Sequence, residues 1–98
     1  MVNPSGSKTI GNCALCEREK PLEFHHLIPR KTHKKAWFRK RFGKEEMRRR
    51  GINVCRACHR HIHRHIDEKT LGRYYNTREQ LLAHPEIEKF VAWVRKQR

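Results

Sequence analysis

Two Cys-x-x-Cys pairs, Cys13-Ala-Leu-Cys16 and Cys55-Arg-Ala-Cys58, constrain this chain more than anything else in it. Each pair offers two thiolates to one side of a tetrahedral ion. Two such knuckles close a four-sulfur site of the structural kind, for which zinc is the expected metal. The other use of four cysteines, as two disulfides, requires an oxidising compartment. No secretory apolar region stands near the N-terminus, so a reducing, cytoplasmic location is expected.

Composition explains why a staple is needed. Ninety-eight residues make one domain, close to the size at which a hydrophobic core alone becomes marginal. Only 36% of the residues are hydrophobic and 35% are charged, which leaves little to bury. Metal binding becomes folding free energy when the unfolded chain has no preformed site. Lys+Arg 24 against Asp+Glu 10 gives +14 at pH 7, and so basic a balance favours a polyanionic partner, nucleic acid first. No apolar stretch approaches the length that spans a bilayer, so no membrane partner is expected.

Residues 1–12 carry Pro, Gly and Ser without periodicity and read as a flexible arm, leaving 13–98 as a single domain. Residues 21–28 read as a strand ending at Pro29. From Arg30 to Arg50 the chain is dominated by Lys and Arg with Trp37, Phe38, Phe42 and Met47 interspersed, which predicts one or two short helices broken at Gly43. "GINV" reads as a return strand pairing with the first, because the two knuckles pin both segments to one ion. A helix follows Cys58. Thr77 with Gln80 fits a capping box, and Pro85 the first turn of a last helix, whose Ile87, Phe90, Val91 and Val94 recur on one face. Trp37 and Phe38 can stack on bases, but as large aromatics they fit better the apolar side of a short helix.

On the helix after Cys58, His59 and His63 are one turn apart on the side of Ile62 and Ile66, which should face inward. Such a pair offers two nitrogens to one ion, or is simply two hydrogen-bonded histidines at a core edge. His61 and His65 project to the opposite side, among Arg60 and Arg64, as solvent or phosphate contacts. Upstream, "LEFHHLIPR" sets His25 and His26 back to back. Neighbours in an extended segment point to opposite faces, so the two cannot do the same job.

A Cys-x-x-Cys, His25-His26, Asn53 before a second Cys-x-x-Cys, then His59 and His63 together resemble the HNH endonuclease family in its small, zinc-stapled form. The match runs over residues 13–66, and the segment 67–98 would supply additional C-terminal helices. The resemblance implies an α+β domain built on a ββα-metal (His-Me finger) fold, in which two strands and a helix surround one catalytic divalent ion. By position it makes His25, His59 and His63 the ligands of that ion, which would be nickel, cobalt, manganese, magnesium or zinc. It makes His26 the general base, and Asn53 the residue that holds its loop or orients it. Cys13, Cys16, Cys55 and Cys58 would hold the structural zinc. Glu23 is either a partner for an imidazole or a solvated strand carboxylate.

The implied activity is hydrolysis of DNA phosphodiester bonds, in double-stranded DNA first, with little sequence specificity. Arg30, Lys31, Lys34, Lys35, Arg39, Lys40, Arg41, Arg60 and Arg64 are the candidate backbone contacts, since lysine and arginine meet phosphates rather than base edges. Two alternatives stand beside it. One is a zinc-dependent nucleic-acid-binding module without catalysis, the other an RNA-directed nuclease.

Overall fold

The computed structural model describes residues 9–97. Within them lie three strands, β1 (Ile10–Asn12), β2 (Glu19–His26) and β3 (Gly51–Cys55), and six α-helices. The helices are α1 (Ala36–Arg41), α2 (Lys44–Arg49), α3 (Arg56–His65), α4 (Glu68–Tyr74), α5 (Arg78–Ala83) and α6 (Pro85–Val94), with a 3₁₀ turn at Arg30–Thr32. The result is a small α+β domain on a sheet of order β1-β2-β3, antiparallel throughout.

Strand β2 pairs with β3 from Leu22 opposite Cys55 to His26 opposite Gly51. This register brings the end of β2 beside the start of β3, as the return strand "GINV" predicts. The expected flexible arm is corrected at its end: residues 10–12 are an edge strand, with Ile10 opposite Pro21, while residues 1–8 lie outside the described part. Three residues with a glycine among them carry too little alternation to be read as a strand.

The basic segment divides as expected, with Gly43 as the N-cap between α1 and α2. Arg39, Lys40 and Arg41 close α1, and Glu45 and Glu46 open α2, each charge suiting the helix end at which it stands. Thr77 accepts from the Gln80 amide at 3.1 Å, but the Gln80 side chain returns to the Asn76 amide at 3.0 Å, one residue before the cap. Pro85 takes the first turn of α6. Helix α4 lies within the segment 67–98 expected to supply C-terminal helices, although no cap or period read from the sequence marks its bounds. Asp67 caps it, accepting from the Thr70 amide at 3.1 Å and the Thr70 hydroxyl at 2.6 Å.

Two buried clusters result. The larger surrounds the four cysteines with Leu15, Val54, Ile62, Leu71, Leu81, Ile87, Val91 and Val94. The smaller is Ile28, Phe38 and Met47, with Trp37 and Phe42 against it. The first knuckle is also held through its backbone by the C-terminal helices: Arg78 Nε donates to the Ala14 carbonyl at 2.6 Å, and Arg95 Nη2 to that of Leu15 at 3.5 Å.

Gly72 sits inside α4, where glycine ordinarily costs about 1 kcal/mol against alanine. A Cβ there would lie 2.7 Å from Phe38 Cε1 and 3.3 Å from Pro29 Cδ, and Phe38 is 1% exposed, so the ring has little room to yield. Overpacking costs about 1–3 kcal/mol, more than the propensity returned. Gly72→Ala is expected to lower the melting temperature; a rise would show that Phe38 repacks freely.

Candidate functional site

The four cysteines are all buried, and their sulfurs lie within 4.8 Å of one another. Cys16 Sγ and Cys55 Sγ are 3.8 Å apart, and all four are free thiols. Backbone amides point at the cluster: Leu15 and Cys16 donate to Cys13 Sγ at 3.4 and 3.5 Å. With the hydrogen bond from Cys58 as the main cause, opposed by burial, the Cys13 thiol is lowered to about 4, while Cys58 is pushed up as the donor of that bond. Burial raises Cys16. Arg18, which the motif reading passed over, donates from Nε to Cys16 Sγ at 3.4 Å and from Nη2 to Cys55 Sγ at 3.6 Å. A guanidinium on the sulfurs offsets the charge that a four-thiolate set would carry around a divalent ion.

The second cluster joins β2 to α3. Alternation along β2 turns Glu23 and His25 to one face and Leu22, Phe24 and His26 to the other. Helix α3 starts directly at the second knuckle, with Cys55 as its N-cap, and lays His59 and His63 against the first of these faces. The ring centroids of His25, His59 and His63 are 5.2, 5.3 and 4.9 Å apart, and one nitrogen from each lies within 4.8 Å of the others. Among the described residues no carboxylate joins this set.

His25 has 0% exposure, and neither of its ring nitrogens has a hydrogen-bond partner. Burial first, then the neighbouring His59, His63 and His26, push its pKa down to about 3. The ring is therefore neutral, with an uncommitted lone pair, and leaving such a group unsatisfied costs about 1–3 kcal/mol. An ion held by the three imidazoles would answer that deficit. His59 is fixed by one ring nitrogen: Nδ1–H donates to Glu23 Oε1 at 2.8 Å, which leaves the lone pair of Nε2 free to meet an ion. Of the two readings of Glu23, the partner of an imidazole is the one the geometry bears out.

His26 stands on the other face at the end of β2. It shares with His59 and His63 a cleft of about 280 Å³ that Phe24, Arg30, Lys31 and Glu68 also line. The ring of Phe24 meets that of His26 edge-on, with centroids 4.9 Å apart. Phe24 in turn lies over Gly51, where a Cβ would come within 2.1 Å of it, so position 51 must be glycine for the pair to sit this way. Burial first, then Arg30 and His33, lower the pKa of His26, leaving it neutral and able to accept a proton at neutral pH. Phe24 and Gly51 thus set the position of the His26 ring, and only the register of β2 on β3 reveals them.

Other expected residues are placed less centrally. Asn53 stands opposite Phe24 on β3, its side chain is exposed, and among the described residues no hydrogen bond joins it to His26. Its carbonyl accepts from the Ala14 amide at 2.9 Å and so ties the first knuckle to β3. Arg30 and Lys31 line the cleft, with Lys31 Nζ 3.5 Å from Glu68 Oε1. Lys34 and Arg39 line the neighbouring groove. Lys35, Lys40, Arg60 and Arg64 are exposed and line neither. Arg41 lies over Trp37 at 4.4 Å, as does Arg73, so Trp37 offers no bare ring to a base. The reading of His61 as a solvent or phosphate contact is corrected. Its ring stacks on Phe90 at 4.0 Å and its Nε2 donates to the Glu86 carbonyl at 3.3 Å, because α6 covers that side of α3. His65, 4.2 Å from it, stays exposed.

No helix among the described residues is long and apolar enough to cross a membrane. No family model matches the chain, and no solved structure gives a significant match. It is similar to the uncharacterized protein YisB of Bacillus subtilis (strain 168), 32% identical over 88 residues that cover 89% of this chain and 76% of the relative.

If Glu23 sets the tautomer of His59, Glu23→Gln should weaken binding of a divalent ion at the histidine cluster on the order of 10-fold, the usual worth of such a partner. Calorimetric titration beside thermal melting checks this. Unchanged affinity would show that the carboxylate does not orient the ligand.

Proposed function

The chain belongs to the family of the Bacillus subtilis protein YisB, and we propose that it is a metal-dependent endonuclease that hydrolyses DNA phosphodiester bonds. One observation carries the reading. A buried, partnerless His25 faces His59 and His63, while its neighbour His26 opens with the same two histidines into a cleft edged by Arg30 and Lys31. Two metals are part of the proposal: zinc on Cys13, Cys16, Cys55 and Cys58, and a catalytic divalent ion on His25, His59 and His63. The succession β2, β3, α3 around the histidines is the order that a ββα-metal unit requires.

His26 takes the proton of a water that attacks phosphorus, a new P–O bond forms, and the bond to the 3′ oxygen breaks. The leaving oxygen takes a proton from solvent, giving 5′-phosphate and 3′-hydroxyl ends. When bound, the divalent ion supplies Lewis-acid stabilisation of charge developing on the leaving oxygen. Arg30 and Lys31 neutralise the phosphate, Glu23 keeps His59 in its ligating tautomer, and Phe24 keeps His26 aimed. Such contacts reach the backbone and not base edges, so little sequence specificity follows. His26 favours catalysis over binding alone, because a pure binding module needs only the cations.

The two neighbours in the doublet should fail differently. His26→Ala should keep its divalent ion and lose on the order of 10²–10⁴ in rate of plasmid cleavage. His25→Ala should first lose metal affinity and regain some activity at high ion concentration. Should both cleave supercoiled plasmid like the parent, the binding module becomes the better account.

The two metal sites should also separate by mutation. Cys55→Ala should lower bound zinc and melting temperature together, whereas His63→Ala should keep both the zinc and the fold and lose activity. Full thermal stability in Cys55→Ala would remove the zinc assignment.

A further inference from the structure

Between α1 and α2 runs a groove of about 570 Å³ that the site described above does not use. Its cations come from both sides: Lys34 and Arg39 from the segment through α1, Lys44 and Arg48 from α2. Its floor is apolar, with Met47 buried and Phe42 half-buried. No carboxylate is among its lining residues, although Arg48 is paired with Glu45 on α2 at 3.8 Å. The volume falls in the range that encloses a small ligand, and a duplex, far wider, can only lie across such an opening.

The groove is not isolated. Arg30, His33 and Arg48 belong both to it and to a smaller pocket whose fourth member is His26. Arg30 and His26 in turn line the cleft with His59 and His63. The three hollows are therefore neighbours that share lining residues, from the histidine cluster, by way of His26 and Arg30, to the cationic groove. His33, which lines both the groove and the smaller pocket, is held by its Nε2–H, which donates to the Ile28 carbonyl at 2.8 Å.

Met47 is too buried to meet a base, but a cationic furrow that presents the half-buried ring of Phe42, with Arg50 5.6 Å from its centroid, suits a single strand. The phosphates follow the charged walls while a base rests on the apolar surface. Duplex backbone contacts need no concavity and no apolar floor. We propose that this groove binds an unpaired stretch of the strand being cut, so that the preferred substrate is DNA with single-stranded character beside the cleaved bond. The inference rests on the nuclease reading for its substrate, but the groove is tested by binding alone.

In a His26→Ala background, which blocks turnover, fluorescence anisotropy is measured with a labelled single-stranded DNA 12-mer and with a hairpin duplex of the same sequence. The single strand should bind more tightly. Arg39→Glu/Lys44→Glu should weaken it on the order of 10-fold and lower its salt slope by about 0.7 for each phosphate no longer neutralised, while the duplex changes far less. Zinc content and melting temperature confirm the fold of that variant, and Arg39→Gln/Lys44→Gln serves if the reversal does not fold. Equal affinity for the two DNAs, or an equal weakening of both, would overturn the groove as a single-strand site. Failure of the nuclease reading would appear elsewhere, as a parent protein that binds single strands in the groove and cuts nothing.

Discussion

Everything in this fold hangs on the meeting of residues 13–16 with residues 55–58. The four sulfurs are the one place where the N-terminal knuckle, the end of β3 and the start of α3 coincide. With Cys55 fixed, Leu22 pairs opposite it, and every later pair down to His26 and Gly51 follows from that register. A slip of one residue would turn His25 away from α3 and expose the wrong face of β2. The junction also starts α3 at a set angle and phase, which decides that His59 and His63, rather than His61 and His65, meet His25. In a chain with so few apolar residues, a metal held by these four sulfurs, as proposed, would add the folding free energy that lets the sheet remain so small.

What can be read from the sequence follows the same logic. Motifs whose geometry is local are legible: the knuckles, the strand after the first and before the second, the i, i+4 pair on α3, and Pro85 opening α6. The α+β class and the gathering of His25, His59 and His63 are what the resemblance to the HNH family implies, and the structure brings the three rings together. Features that depend on a distant partner are not legible. Helix α4 is short and contains Gly72, which makes sense only once Phe38 is known to lie against it. Helical spacing puts His61 on the correct side of α3, but no local pattern says that α6 covers that side. Phe24 over Gly51, Arg18 on the sulfurs, and the long reaches of Arg78 and Arg95 all emerge only in three dimensions.

The histidine cluster lies where the structure can bear an expensive group. His25 is enclosed between a sheet fixed at one end by the sulfurs and a helix that begins at them, so its unsatisfied nitrogens cannot turn to solvent. The smaller cluster of Ile28, Phe38 and Met47 carries the basic segment as a separate platform. The sulfur-anchored half and the cationic half thus meet at His26, whose ring touches Phe24 and also lines the pocket of Arg30, His33 and Arg48.

The long reach of the arginine clamps has a consequence in time. Cys55 follows Cys16 by 39 residues, and Arg95 follows Leu15 by 80. At synthesis rates of about 5–20 residues per second, the first knuckle waits roughly 2–8 s for its partner sulfurs and roughly 4–16 s for its last clamp. During that interval Cys13 and Cys16 are two accessible thiols without a complete site, open to oxidation and to any soft metal that arrives first. On the proposed zinc assignment, the yield of correctly built molecules would depend on the thiol balance and metal supply around the nascent chain, before the histidines have met.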